Sequence, residues 1–285
     1  MLKRVQSRPS SSFIARKAAR GASALAVRQV VVTAANVLGG ILLARTLTPS
    51  EFGGFAIVAL FASIVLTVTG TGLATNLIRR NEAPDGLAKG SVFALLLGLA
   101  LCFALATSIL APVVVAAYGM KPSVVLAIQL TSVAGIASTF MVIPQVQLER
   151  ELRFGRLAVV EIGQALTFNT VAVTLALLGF GLVSIGIAYA TKLATGAVLS
   201  HMLSPWQIRL HWDTNQLAEN LAFSVPFQGS AFVSIAKDGI TPILAGILTT
   251  VEDVGFLTWA SMFASFSILA LMIVQRIYLP TFARL

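Results

Sequence analysis

The chain has 285 residues, of which 57% are hydrophobic and only 11% are charged, whereas a soluble domain carries about 25% charged residues. This composition excludes an ordinary soluble globular fold and indicates a protein that lies in a lipid bilayer. The net charge of +9 does not point to nucleic acid as a partner, because the basic residues fall in alternate loops. The single cysteine, Cys102, excludes a disulfide framework.

Eight apolar stretches are long enough to cross a bilayer as helices, which takes about 20 residues each. The sequence therefore predicts an all-α membrane protein with about eight transmembrane helices. In chain order, the predicted spans are 22–44, 54–77, 91–117, 123–147, 157–179, 182–203, 218–248 and 254–279. We expect a basic cytoplasmic N-terminus at 1–21, a six-helix lobe at 22–203, a cytoplasmic linker at 204–217, and the first two helices of a second lobe at 218–285.

A repeated segment supports this division into two lobes. LARTLTPSEFGGF, Leu43–Phe55, returns 201 positions later as LAGILTTVEDVGF, Leu244–Phe256, with seven of thirteen residues identical. Each copy ends one apolar stretch and begins the next, which predicts two related helical hairpins at the start of two lobes. Because a second lobe would need six spans and only two are present, we expect the chain to be truncated.

The basic residues also predict the orientation in the membrane. Fifteen lie on one set of alternate loops and two, Arg45 and Lys121, on the other. This asymmetry places both termini in the cytoplasm, and an even number of spans agrees with it. The fifteen are Lys3, Arg4, Arg8, Arg16, Lys17, Arg20, Arg79, Arg80, Lys89, Arg150, Arg153, Arg156, Arg209, Arg276 and Arg284.

Three local features carry structural expectations. The mixed charges of the segment Gln147–Leu157 favour a short interfacial helix. Pro226 and Pro242 inside the seventh span predict a broken or bent helix. A small-residue stripe in the sixth span, made of Gly186, Ala190 and Ala194, predicts close helix packing, with Lys192 on the other side of that helix.

The short loops leave no room for a globular catalytic domain. No phosphate-binding loop, HExxH sequence or nucleophilic triad appears. We therefore expect no enzyme activity and no cofactor or metal.

Six ionisable residues lie inside the spans or at their inner ends: Arg28, Glu161, Lys192, Glu219, Lys237 and Asp238. Such groups cost about 2.5 to 3.5 kcal/mol each at the bilayer centre and usually face a bundle interior or a watery cavity. Lys192 is predicted to lie near the midplane. Arg28 lies one to two turns from the cytoplasmic end of the first span, and Asn36 is two turns further along nearly the same face.

We interpret Arg28, Asn36, Lys192 and Lys237 as lining a cationic cavity for an anionic ligand such as a phosphate or pyrophosphate. Asp238 would respond to protons or Na⁺. The alternative for the basic residues is snorkelling or structural pairing. An ion pair between Lys237 and Asp238 is predicted to be strained, because neighbouring helical side chains point about 100° apart.

For Glu161 and Glu219 a structural role is favoured. Both lie at predicted helix starts, where a carboxylate complements the helix dipole.

Several segments resemble, in order, those of the polysaccharide flippases, the Wzx-type branch of the multidrug, oligosaccharidyl-lipid and polysaccharide exporter superfamily. They are LARTLTPSEFGGFAIVALFASIVLTVTGTGLATNLIRR, VQLERELRFGRLAVVE, ALLGFGLVSI, LSPWQIRL and LPTFARL. The resemblance covers nearly all of residues 20–285. Arg28 matches the basic residue usual in the first span and Asp238 the acidic residue usual in the seventh, whereas Lys237 stands where the family often has a neutral amide.

The resemblance implies two lobes around a central cationic cavity in a bacterial inner membrane. The implied activity is flipping an undecaprenyl-diphosphate-linked oligosaccharide to the outer leaflet by alternating access, without ATP hydrolysis, for O-antigen, lipopolysaccharide or exopolysaccharide synthesis. Expected partners are this lipid, membrane lipids, and polymerase and glycosyltransferase machinery. The alternatives are a cation-coupled multidrug exporter and a non-transporting, truncated remnant.

Overall fold

The computed structural model describes residues 11–79, 86–212 and 214–264. Its helices are α1 (Ser11–Thr46), α2 (Pro49–Arg79), α3 (Gly86–Ala117), α4 (Ser123–Arg150), α5 (Phe154–Leu177), α6 (Val183–Leu203), α7 (Thr214–Leu248) and α8, which is helical over 251–264. The predicted all-α membrane fold is confirmed, because seven of these helices are long and apolar enough to cross a membrane. The rest of the eighth predicted span lies outside the described residues.

Successive helices alternate in direction, because short connections join them. We call the end of the bundle where α1, α3, α5 and α7 begin the basic end, since most loop arginines and lysines fall there. The first six helices form a bundle in which α4 packs on α2, α3 and α6, while α5 packs on α1 and α6. Helix α7 lies along α2.

Apolar clusters hold the bundle together, and two of them lie towards its opposite ends. The cluster far from the basic end includes Val58, Ile128 and Ile185, all fully buried. The cluster nearer the basic end is built on Leu77 and Phe93. In a bilayer these side chains gain little from leaving lipid, so close van der Waals packing is the main stabilising contribution.

Helix α6 approaches α4 closely at Gly186. A Cβ added there would lie 2.8 Å from Ala127 Cα and 2.9 Å from the Ala127 carbonyl oxygen, so the position requires glycine. This confirms the first member of the predicted stripe. Ala194, its third member, is exposed and takes no part in the contact.

Helices α3, α4 and α5 end in the same type of cap. At each helix end, one backbone amide donates to the carbonyl oxygen five residues earlier, and the preceding amide donates to the carbonyl oxygen three residues earlier. The residue that carries this preceding amide has a left-handed backbone. That residue is Gly119 (φ 60°) after α3 and Gly179 (φ 85°) after α5, but Leu152 (φ 55°) after α4. The interfacial helix expected within 147–157 is therefore wrong, because α4 continues to Arg150 and turns sharply into α5.

The expected break in α7 is also wrong. The helix runs without interruption from Thr214 to Leu248 with Pro226 and Pro242 inside it. A proline removes one backbone hydrogen bond, but a helix that packs along a neighbouring helix can remain continuous without that bond.

The two repeated segments fold alike, in a register one residue different from the sequence match. Thr48 and Glu51 cap α2 by reciprocal bonds, with Thr48 N donating to Glu51 Oε2 at 2.9 Å. Thr250 and Asp253 cap α8 in the same way, with Thr250 N donating to Asp253 Oδ2 at 3.1 Å. The structural offset is 202 residues, because the cap needs a hydroxyl three residues before a carboxylate.

These two helix starts also contact each other. A Cβ at Gly53 would overlap the Val251 carbonyl oxygen, and one at Gly255 would overlap that of Pro49. The contact is reciprocal and obeys the same 202-residue offset, so α2 and α8 cross with approximate two-fold symmetry. The starts of α2 and α8 therefore meet at the end of the bundle opposite the basic end.

Candidate functional site

Arg28 of α1 pairs with Glu161 of α5. Arg28 Nη1 donates to Glu161 Oε2, and Nη2 donates to Gln29 Oε1 at 3.1 Å. The two charged side chains are 24% and 31% exposed. Arg28 Nε is buried and has no hydrogen-bond partner among the described residues. Arg28 is thus neutralised by a carboxylate, but its Nε donor remains unused among the described residues.

Asn36 is bonded to the same neighbouring helix. Asn169 Nδ2 donates to Asn36 Oδ1 at 3.0 Å and to the Ala165 carbonyl at 2.8 Å. Gly39 makes room for this amide, since a Cβ at that position would collide with the Asn169 side chain. The pair is 133 residues apart, as are Arg28 and Glu161. Helices α1 and α5 therefore run parallel in constant register.

Lys192 of α6 points at aromatic rings. Its Nζ lies 5.6 Å from the ring centroid of Phe168 in α5 and 5.5 Å from that of Tyr189. Both distances are within the range of cation–π attraction. Lys192 makes no ion pair with any residue that the structure describes. It lies nine residues from Val183 and eleven from Leu203, so each end of α6 is about 14 to 16 Å away and the ammonium is central.

Helix α5 brings these groups together. We call the set formed by Arg28, Glu161, Asn36, Asn169 and Lys192 with its two rings the α5 polar strip. Phe168 follows Glu161 by seven residues, which keeps both within about 20° on one face and about 10 Å apart along the axis. Three of the four predicted binding residues, Arg28, Asn36 and Lys192, therefore contact side chains of α5.

The charge of the α5 polar strip is smaller than the sequence suggested. Arg28 and Glu161 cancel, so Lys192 provides the net positive charge. The Arg28 partner was missed because Glu161 is far away in sequence and its position at a helix start suggested a dipole role.

Lys237 and Asp238 form a separate group on α7. Lys237 Nζ lies 3.0 Å from Asp238 Oδ1, and the side chains are 75% and 70% exposed. The ion pair forms although neighbouring helical side chains point about 100° apart, and its strain stays a prediction. Gly239 packs against Leu60 of α2, so this part of α7 faces α2 with another side.

Glu219 is part of α7, but its side chain lies outside the described residues.

A cavity of about 520 Å³ lies at the basic end and was missed at the sequence level. We call it the basic-end pocket. Its lining combines ends of α2, α4 and α6, the starts of α3 and α5, and the segment after α6. The lining residues are Leu77, Lys89, Ile143, Val146, Gln147, Arg150, Glu151, Arg153, Arg156, Leu203, Ser204 and Pro205.

The fold and the α5 polar strip define a multi-pass α-helical membrane protein that keeps ionised and amide groups between its spanning helices. A family model described as polysaccharide biosynthesis protein matches residues 42–285. The match covers most of the chain, and the protein belongs to that family. No curated protein and no solved structure matches this chain significantly.

Proposed function

We propose that this protein flips a lipid-linked oligosaccharide diphosphate across the bacterial cytoplasmic membrane by alternating access, without ATP hydrolysis or other enzyme activity. The observation that carries the proposal is Lys192. It is a central cation without a carboxylate partner among the described residues, in a membrane protein of the polysaccharide biosynthesis family. An ammonium held half-buried in a membrane span is costly, and such groups commonly mark a substrate path.

The chemistry of the α5 polar strip suits a diphosphate next to a sugar. Lys192 offers a compact charge for phosphate oxygens, and its two rings hold the ammonium without neutralising it. Asn36 is an exposed amide bonded to Asn169, the residue after Phe168, and it can bond sugar hydroxyls or phosphate. Arg28 would join through its unused Nε donor.

Orientation follows from charge. We propose that the basic end faces the cytoplasm, where loops carry most of the lysines and arginines. The substrate would enter from that leaflet with its lipid tail in the bilayer. Glycosyltransferases would supply this substrate, and the polymerase of the same synthesis would receive it. Asp238 remains our candidate for ion coupling, with the pairing to Lys237 as the contact that a proton or Na⁺ would change.

The test is translocation in liposomes. Purified protein is reconstituted with a fluorescent polyprenyl-diphosphate oligosaccharide, and the fraction that a membrane-impermeant quencher reaches is followed with time. We expect wild type to raise the rate above empty liposomes, Lys192→Gln to lower it at least tenfold, and Lys192→Arg to retain most of it. Lys121→Gln removes an exposed basic residue at the opposite end and is the matched control.

Two results would contradict the proposal. Wild type no faster than empty liposomes would favour the non-transporting alternative, and a Lys192→Gln rate equal to wild type would remove Lys192 from the substrate path.

A further inference from the structure

The basic-end pocket has a strong surplus of positive charge. Among the described residues that line it, four are basic, Lys89, Arg150, Arg153 and Arg156, and one is acidic, Glu151. For these described side chains, four positive charges minus one negative charge give +3 around a volume of about 520 Å³. A concentration of like charge is unfavourable unless counter-charge is bound nearby.

Two of these guanidinium groups are held by the ends of other helices. Arg150 Nη1 donates to the carbonyl oxygens of Leu77 at 2.7 Å and Ile78 at 3.2 Å, in the last turn of α2. Arg156 Nη1 donates to the Leu203 carbonyl at the end of α6 at 2.8 Å. Because a guanidinium has five N–H donors, this one bond positions Arg156 and leaves it others.

The other two basic residues that line the pocket are Lys89 and Arg153. Lys89 is half-buried and makes no ion pair with any described residue. Arg153 Nε lies 2.7 Å from Glu151 Oε2, with both side chains about half exposed. A pair as exposed as this is weak, so its arginine can turn to a stronger anion at little cost.

The corner that presents these arginines is strained. Leu152 has the left-handed backbone that Gly119 and Gly179 supply at the two comparable helix ends. A left-handed non-glycine residue costs about 1 to 2 kcal/mol, and such outliers concentrate at binding sites.

The floor of the pocket is apolar. Leu77, Ile143 and Val146 line it, and Ile143 and Val146 lie one to two turns further into α4 than Arg150. The pocket lies at helix ends, and the ends of spanning helices are expected at the level where lipid headgroups meet acyl chains. A basic rim above an apolar floor fits an amphipathic anion better than a free ion.

We propose that the basic-end pocket binds the phosphate headgroup of an anionic lipid. This site is separate from the α5 polar strip and does not depend on the flipping activity. The phosphate belongs either to a phospholipid of the surrounding leaflet or to a lipid-linked diphosphate, and the chemistry of recognition is the same for both.

A bound headgroup would contact the segment that joins the two lobes. Ser204 and Pro205 line the pocket, and Ser204 Oγ donates to Gln147 Oε1 at 2.9 Å. The next residue, Trp206, packs on Phe93 of α3 with ring centroids 5.5 Å apart. A headgroup bound in the pocket would therefore contact the first residues of the linker and the end of α4 at the same time.

The experiment measures lipid retention by native mass spectrometry of the whole chain in detergent, with phosphatidylglycerol and zwitterionic phosphatidylcholine as probes. The variant is Lys89→Gln/Arg153→Gln. The matched control, Arg45→Gln/Lys121→Gln, removes the same charge from exposed positions at the opposite end. We expect phosphatidylglycerol retention to fall roughly tenfold or more in the first variant, since each basic contact to an anionic lipid contributes about 1 kcal/mol, and to change less than twofold in the control.

Further arms separate the sources of the phosphate. A polyprenyl diphosphate that displaces phosphatidylglycerol from wild type supports the site and assigns it to the carrier lipid, and failure to displace assigns it to the phospholipid. Lys192→Gln should leave phosphatidylglycerol retention unchanged, so failure of the flipping proposal is distinguishable from failure of this one. Equal losses in the two double variants, no loss in either, or displacement by millimolar inorganic phosphate alone would overturn the proposal.

Discussion

The ion pair between Arg28 and Glu161 gives the most quantitative prediction, because the chain contains its own control. We consider Arg28→Gln, Glu161→Gln and the double variant, which form a double-mutant cycle. Each single variant leaves a half-buried charge without its partner, and the double variant removes both charges. The corresponding cycle at Arg153 and Glu151 removes an exposed pair with a comparable contact.

The magnitude follows from exposure. Two charges about 4 Å apart attract by about 4 kcal/mol at an effective dielectric constant of about 20. The Arg28 and Glu161 side chains are 24% and 31% exposed, so solvent screening reduces the coupling to about 1 to 3 kcal/mol. The Arg153 and Glu151 side chains are 46% and 50% exposed, and we expect about 0.2 to 1 kcal/mol for them.

The assay is reversible unfolding of the purified protein in mixed micelles, followed by circular dichroism for each corner of both cycles. We expect the coupling free energy of the Arg28–Glu161 cycle to exceed that of the Arg153–Glu151 cycle by about 1 kcal/mol or more. Equal coupling in the two cycles would refute the reasoning, because burial would then contribute nothing to the Arg28 pair.

Three further predictions concern packing, strain and pH. Gly186→Ala should destabilise the fold by about 1 to 3 kcal/mol, because its Cβ would lie 2.8 Å from α4, while Gly98→Ala, which meets open space, should be neutral or slightly stabilising in the same unfolding assay. Leu152→Gly should raise stability by about 0.5 to 1 kcal/mol, since glycine adopts φ 55° without strain, and a lower thermal midpoint would contradict this. Hydrogen bonds from the Thr250 hydroxyl and amide lower the pKa of Asp253 below its ordinary value of 3.8, so its stabilisation is present above that value and is lost as pH falls below it. When the pH is lowered below about 4, the thermal midpoint of Asp253→Asn should therefore fall less than the thermal midpoint of wild type.

Much of the fold could be predicted from the apolar runs. Spans one to seven match the helices, and the spacing of Arg28 and Asn36 correctly placed both on one face of α1. The predicted ends of the helices were less accurate, because helices continue past the apolar run that crosses the bilayer. Helix α1, for example, begins at Ser11 although the apolar run begins near residue 22.

The rest depended on contacts that sequence spacing does not encode. The partner of Arg28 is 133 residues away. The basic-end pocket takes its residues from separate segments, and at the sequence level their arginines served only as an orientation signal. The cap at Leu152 could not be predicted, because the sequence there lacks the glycine that marks the ends of α3 and α5.

The repeat illustrates a different limit. Identity is highest at an offset of 201 residues, but the caps and the reciprocal contact of Gly53 and Gly255 follow 202. Hydrogen-bond geometry therefore decides the register, and the count of identical residues does not.

The most direct test of the central claim is the affinity of the protein in nanodiscs for a polyprenyl-diphosphate oligosaccharide, compared among wild type, Lys192→Gln and Lys192→Arg. A charge-assisted hydrogen bond contributes about 1.5 to 3 kcal/mol, so loss of the ammonium should raise Kd roughly tenfold to a hundredfold, while arginine should keep it within about threefold. Equal affinity in all three proteins would contradict the claim that Lys192 binds the diphosphate.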